Sequence, residues 1–413
     1  MLNWANRFNI CCFLDNNYYK SPYHSFECVA AIADELAIDS SKQEISLIRL
    51  EQFFKENKNW LFGHISYDFK NYIFPFNSNQ YDGIEAPVIA LFKPKIFVRV
   101  VHDAVFISSN ENNVNQIFND ILSIRLFDYS SQNFHQPIQV ESRISKDEYC
   151  NIIKNLKQHI QQGDCYEINF CQEFYATNVE LNPLQKFQQL NNISPNPFNT
   201  FYKLHDIYSI GASPERFLKK IGNKIISQPI KGTIKRDLSN SIQDELLKQQ
   251  LRESEKEKSE NVMIVDLVRN DLSKIAERNS VKVEELFGLY SFPQVYQMIS
   301  TISAVVDYKI NFIEVLKALF PMGSMTGAPK YKVMQLIEEY EKTKRGIYSG
   351  SIGYITPDND FDFNVVIRTI VYNQTKKYLS YQVGSAITIK SNPEQEFEEC
   401  LTKAQAIVDT LKK

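Results

Sequence analysis

No two cysteines in this 413-residue chain are spaced C-x-x-C, and the seven present (Cys11, Cys12, Cys28, Cys150, Cys165, Cys171 and Cys400) are odd in number. That pattern suggests neither a disulfide framework nor a thiolate zinc site, so the thiols are expected to be reduced, as in a cytoplasmic protein. Positive charge is not in excess: 46 Lys and Arg stand against 49 Asp and Glu, a net charge of −3. A general nucleic-acid binder needs a basic face, so nucleic acid is not an expected partner. No run reaches the roughly 18 apolar residues of a membrane span, and residues 1–7 lack the basic region and apolar core of a secretory leader. Neither secretion nor a membrane is therefore expected. Internal repeats, low-complexity segments and Pro/Gly/Ser linkers are also missing, which argues against strings of autonomous domains.

What is present is ordinary for a globular protein: 43% hydrophobic and 23% charged residues, in a chain long enough for two or three average domains or one large α/β or α+β body. The nearest approach to a seam is the polar stretch from Tyr129 to Pro137. Before it, residues 60–67 and 94–101 read as strands, because β-branched and aromatic residues dominate short bounded runs. After it, Ser145-Lys146-Asp147-Glu148 has the form of a capping box ahead of Tyr149, Ile152, Ile153, Leu156 and Ile160, predicting an amphipathic helix that ends near Gly163. Residues 166–174 and 208–212 alternate as strands. Residues 241–271 read as one long helix, residues 365–371 as an apolar strand, and Ser391-Asn392-Pro393-Glu394 as the start of a C-terminal helix.

Several residues stand out chemically. Lys231 follows Pro229-Ile230 and precedes Gly232, so its stem is expected to be packed while the glycine leaves room for something to approach. Desolvation there would favour the neutral, nucleophilic amine. Glu215 lies just past the Ser213-Pro214 turn, where a carboxyl can face a cleft. Glu257 and Glu260 share a helix face, as do Glu396 and Glu399, with Lys403 one turn beyond. Two such pairs together suit Mg²⁺, which takes a few carboxylates and keeps several waters. Residues 323–330, with two glycines, two hydroxyls and a helix start, form a plausible anion cradle, although P-loop spacing is absent. Arg368 is a cation in an apolar strand and needs a partner or a ligand. Taken singly, each also reads as a solvated charge or a structural turn.

Together these stretches carry a resemblance. Gly163-Asp164-Cys165-Tyr166-Glu167-Ile168-Asn169, Ala212-Ser213-Pro214-Glu215-Arg216-Phe217, Pro229-Ile230-Lys231-Gly232-Thr233, the segment from Glu260 to Asp271, Gly323-Ser324-Met325-Thr326-Gly327-Ala328-Pro329-Lys330 and the helix from Glu396 to Lys403 follow the order seen in the chorismate-utilising enzymes. The match runs from about Arg143 to the C-terminus. Within the family the chain is most similar to the aminodeoxychorismate synthase component I branch, because the ortho-aminating and water-adding branches usually carry a small residue where Lys231 stands.

The resemblance implies an α+β fold of two large packed antiparallel β-sheets with outer helices, residues 1–140 joining the same body as the chorismate-binding catalytic region, residues 141–413. It implies amination of chorismate at C4 to 4-amino-4-deoxychorismate, the p-aminobenzoate and folate precursor. The ammonia would come from a separate glutamine amidotransferase subunit, since the chain lacks a glutaminase-like cysteine motif. Residue by residue, Glu260 and Glu399 would hold Mg²⁺, assisted by Glu257 and Glu396. Tyr348, Arg368 and Lys403 would contact substrate carboxylates, residues 323–330 would supply backbone donors with Thr326, Gly327 and Lys330, and Gly384 would admit close approach. Glu215 would protonate the leaving hydroxyl and Lys231 would attack C2. Three departures from the family are visible: Gln297 stands where many relatives have histidine, Glu167 where glutamine or lysine is common, and the first third lacks a tryptophan-pocket signature. Ortho amination, as in anthranilate synthase component I, and a non-catalytic chorismate- or glutaminase-binding scaffold remain the alternatives.

Overall fold

A computed structural model describes residues 1–111, 113–124 and 137–412. Most of the Tyr129–Pro137 seam predicted above falls outside the described residues. The strands assemble into two large antiparallel sheets, one of eleven strands and one of ten, with helices packed against them. The first third contributes to both: Ile10–Asp15 pairs with Phe198–Leu204 in the first sheet, and Leu61–Ile65 pairs with Ser351–Ile355 in the second. Each sheet closes over its own apolar cluster. Ile168, Phe170, Ile210, Ile370 and Leu379 belong to one; Leu218, Ile225, Ile302, Phe361 and Phe363 belong to the other.

The chain passes between the sheets twice in neighbouring places, and this positions the site. Strand Ile207–Ser213 lies in the first sheet and Arg216–Ile221 in the second. Phe361–Asn364 lies in the second and Thr369–Asn373 in the first. The two crossings are bonded to each other: the Val365 amide donates to Glu215 O at 3.0 Å, the Ser213 hydroxyl to Val365 O at 2.6 Å, and the Ala212 amide to Arg368 O at 3.1 Å. Residues 365–368 are therefore not the strand that their apolar run predicts. Arg368 sits in the left-handed region at φ 52°, a conformation that no strand interior accommodates.

A further expectation is corrected. The predicted helix 241–271 is two helices, Ser241–Glu253 and Glu255–Ser273, broken at Ser254, whose extended backbone (ψ 108°) lets its side chain accept from the Glu257 amide. Helical periodicity continues through the break, so only the capping serine marks it. Strand Glu167–Ala176 does alternate, but its polar face is not wet. Glu167, Asn169 and Glu173 are buried along with Ile168 and Phe170, because that face looks into the space between the sheets, where Glu167 Oε1, Asn169 and Glu173 find partners and Glu167 Oε2 does not. The helix begun at Ser145 runs Lys146–Gln161, with the Ser145 hydroxyl accepting from the Glu148 amide.

Candidate active site

The site forms where the two crossings, one strand of each sheet and two helices meet. Strand Ile230–Lys235 carries Lys231 and pairs irregularly with Val295–Val305: Ile230 faces Ile299 and Thr233 faces Gln297, so two residues on one side oppose one on the other. This bulge re-aims Lys231. Gly232 takes φ 93°, and a Cβ there would stand 3.2 Å from the Glu257 Cβ and from Leu251. What the glycine admits is thus the helix Glu255–Ser273, which brings its carboxylates toward Lys231.

Lys231 Nζ donates to Glu167 Oε1 at 2.7 Å, joining the two sheets through an ion pair between side chains that are 10% and 2% exposed. Burial does push the amine toward neutrality, as expected from sequence. Glu167, Glu260 and Glu399 override it, and the ammonium form is favoured above the usual lysine range. The expectation of a free amine at rest is corrected accordingly: at neutral pH Lys231 holds its proton, and Glu167 is the group placed to take it.

Glu215 is treated in the opposite way. It is buried in the crossing, and desolvation raises its pKa to about 7, outweighing the Ser324 hydroxyl that donates to its Oε1 at 2.6 Å and the charges of Lys231 and Arg368. Such a carboxyl retains a proton near neutral pH. Arg368, half-buried nearby, is lowered to about 10 by desolvation, with Glu215 its favourable charge neighbour.

Four carboxylates gather at the edge of this space. Glu257 and Glu260 come from helix Glu255–Ser273, and Glu396 and Glu399 from helix Pro393–Lys412, whose start is capped by Asn392 accepting from the Glu394 and Gln395 amides. Glu260 is buried, its Oε1 has no hydrogen-bond partner, and desolvation raises its pKa to about 7. Glu257 is also raised by burial, whereas Glu399 is lowered by Lys403, which lies 2.8 Å from it and also donates to Gly384 O. Lys256, absent from the sequence reading, stands 3.8 Å from both Glu260 and Glu396. Among the described residues no three His, Cys, Asp or Glu side chains converge as a ready metal cage. The donor set nonetheless fits Mg²⁺: hard oxygen ligands from two helices, one of them a buried oxygen without a partner.

The 323–330 loop bonds largely within the fold. The Thr326 hydroxyl donates to Met322 O at 3.0 Å, and the amides of Met325 and Thr326 donate to Met322 O and Gly323 O. Lys330 donates to the Asp271 carboxylate and to Leu319 O. Gly327 (φ 143°) lies where a Cβ would meet Glu167 O at 2.0 Å, and one on Gly384 would stand 2.5 Å from Cys171 Sγ. Both glycines thus admit close strand pairing. Tyr348 is buried with its hydroxyl 3.7 Å from Cys171 Sγ. Underneath, and missed in the sequence, Arg345 donates to both Glu341 oxygens (2.6 and 2.9 Å), to Met325 O and to Asn169 O. Glu341 caps the helix Lys330–Tyr340 and Arg345 lies four residues on in the following turn, a spacing too common to single out. A larger cavity of about 100 Å³, lined by Asp15, Asn16, His24, Arg216 and Tyr354 among others, contains none of the candidate residues. Charge, not volume, locates the chemistry.

Comparison with known proteins gives a family described as chorismate binding enzyme, matching residues 9–409. Aminodeoxychorismate synthase component 1 of Salmonella typhimurium is 38% identical over 271 residues, 66% of this chain and 59% of the relative. The protein of that name in Bacillus subtilis is 30% identical over 364 residues, 84% of this chain and 75% of the relative. Anthranilate synthase component 1 of Aquifex aeolicus is 35% identical over 65% of this chain and 54% of its own length. In the first of these the alignment spans less than two thirds of the relative. Among solved structures, anthranilate synthase component I of Streptococcus pneumoniae superposes with a TM-score of 0.81 at 24% identity, covering 94% of this chain and 93% of that one. The menaquinone-specific isochorismate synthase of Escherichia coli gives 0.76 at 17%, covering 100% and 91%. These two establish likeness of fold.

Proposed function

The chain belongs to the chorismate binding enzyme family, and from that premise we propose that it aminates chorismate at C4 with ammonia, giving 4-amino-4-deoxychorismate for p-aminobenzoate and folate synthesis. The observation that carries the reading is the pairing of Lys231, whose side chain is 10% exposed, with the buried Glu215, whose pKa is raised to about 7 and which feels the lysine's charge. As the Lys231 amine attacks C2, its proton passes to Glu167 Oε1. Both ring double bonds shift by one position toward C4, and the C4 hydroxyl leaves as water on receiving the Glu215 proton. Ammonia then bonds to C4, both double bonds shift back, and the C2–nitrogen bond breaks to return Lys231, which recovers its proton from Glu167 while the new C4 ammonium returns one to Glu215. Two displacements place nitrogen para to the ring carboxylate, whereas one direct attack at C2 would place it ortho.

Arg368, Lys403 and Tyr348 are assigned to the carboxylates of chorismate. Arg368 offers a half-buried guanidinium at the crossing, where it feels the Glu215 charge. Glu260 and Glu399 would hold Mg²⁺ with Glu257 and Glu396 assisting; the ion would neutralise and fix the ring carboxylate when bound. Ammonia is assigned to a separate glutamine amidotransferase subunit, a reading supported by relatives named component 1. The anthranilate synthase relative supports ortho amination as the competing outcome, and Lys231 is the residue that separates the two.

Product analysis decides. With chorismate, Mg²⁺ and ammonium salts at alkaline pH, the protein should form 4-amino-4-deoxychorismate, and Lys231→Ala should lose most of it together with a chorismate adduct on the Lys231 peptide. Anthranilate as the wild-type product, or undiminished para product from Lys231→Ala, would reject the proposal.

A further inference from the structure

Lys256 is the one feature of the acidic cleft that the proposed reaction does not use. It lies in the first turn of helix Glu255–Ser273, one turn before Glu260, and reaches across to the helix Pro393–Lys412. Its Nζ is equidistant, at 3.8 Å, from Glu260 Oε1 and Glu396 Oε1. That same Glu260 oxygen has no hydrogen bond. Glu257 on its own helix and Glu399 on the opposite one also act on the Lys256 ammonium. One ammonium is thus set among all four carboxylates assigned to Mg²⁺, at a separation too long for tight pairing and short enough to cancel charge. The side chain is 47% exposed, so leaving the cleft requires only rotation into solvent and little desolvation.

We propose that Lys256 is a built-in competitor of the divalent cation: its ammonium bridges Glu260 and Glu396 when the ion is absent and swings into solvent when the ion binds. Without it, carboxylates from two helices would face one another unbalanced and spread the cleft. With it, the two helices keep the spacing that the ion needs, and the ion must displace a lysine, which weakens its binding. The inference rests on the assignment of these carboxylates to Mg²⁺ and concerns a positioning residue, not one that touches the reacting atoms.

Calorimetric titration of the chorismate-free full chain with Mg²⁺, and spectroscopic titration with Mn²⁺, separate the two claims. Lys256→Met should bind Mg²⁺ about five- to tenfold more tightly than wild type, as expected for removing two weak, half-exposed ion pairs. Lys256→Arg should retain wild-type affinity. Metal-free Lys256→Met should melt below metal-free wild type and gain more from added Mg²⁺, a readout that is independent of turnover. If Glu260→Gln abolishes binding but Lys256→Met binds no more tightly than wild type, the competitor role is wrong while the metal assignment stands. If Glu260→Gln and Glu396→Gln bind Mg²⁺ as wild type does, the metal assignment fails and this inference fails with it.

Discussion

The 323–330 loop and the acidic cleft beside it both carry the polar residues of a ligand site, and the structure handles them in opposite ways. In the loop, polar groups are committed internally: Thr326 to Met322 O, Lys330 to Asp271, Met325 O to Arg345. In the cleft they are left over: Glu260 Oε1 and Glu167 Oε2 are buried without hydrogen bonds, and Lys256 is held by nothing closer than 3.8 Å. A buried polar group that is satisfied stabilises the fold, while one that is not destabilises it until something binds. The difference therefore divides scaffold from site more sharply than residue type does. Glu215 sits on the boundary, bonded to the loop through Ser324 and electrostatically coupled to Lys231 and Arg368.

The comparison is most exposed at Arg345. Arg345→Met would leave Glu341 buried and uncompensated beneath the loop, and should lower unfolding free energy by about 3–5 kcal/mol in denaturant titration. A loss under 1 kcal/mol would show that the loop does not depend on this support. Gly384→Ala comes next. The added methyl meets Cys171 Sγ at 2.5 Å, Asn169 Oδ1 at 2.6 Å and Phe170 O at 2.8 Å, so stability should fall by about 1–3 kcal/mol. Unchanged stability with a raised KM for chorismate would instead return Gly384 to the ligand.

Glu215→Gln tests the boundary through pH. The folded pKa of about 7 lies above the ordinary value of 4.5, so between these values the native state binds the extra proton. Stability contributed by the protonated carboxyl is present below pH 4.5 and declines as pH rises toward 7. The variant should remove this slope and be more stable than wild type at pH 8 by about 1–2 kcal/mol, with activity lost. Parallel stability curves for the two proteins across pH 4–8 would contradict the assignment. The smallest effect is expected from Thr326→Val, which removes only the hydroxyl's shared bond to Met322 O and Gly323 O: about 0.5–1.5 kcal/mol in stability, with KM unchanged. A large KM change with full stability would move Thr326 from scaffold to site.

Local pattern settled what depends on near neighbours. The Ser145 cap, the Asn392 cap, the alternation in Glu167–Ala176 and the shared faces of Glu257 with Glu260 and of Glu396 with Glu399 are visible because a helix repeats every 3.6 residues and a strand every two. The ordered motifs carried the rest, including the two packed sheets. Tertiary structure alone decided which charges matter. Periodicity says that Glu167 and Ile168 point to opposite faces, but not that the polar face looks into the space between sheets, where Lys231 waits 64 residues away in sequence. Desolvation supports a neutral Lys231; only the assembled field of Glu167, Glu260 and Glu399 reverses it. Lys256 reads as one more solvated lysine until two helices more than a hundred residues apart set it between Glu260 and Glu396. A pKa and an ion pair are sums over everything within a few ångströms, and those neighbours are assembled by the fold, not by adjacency in the chain.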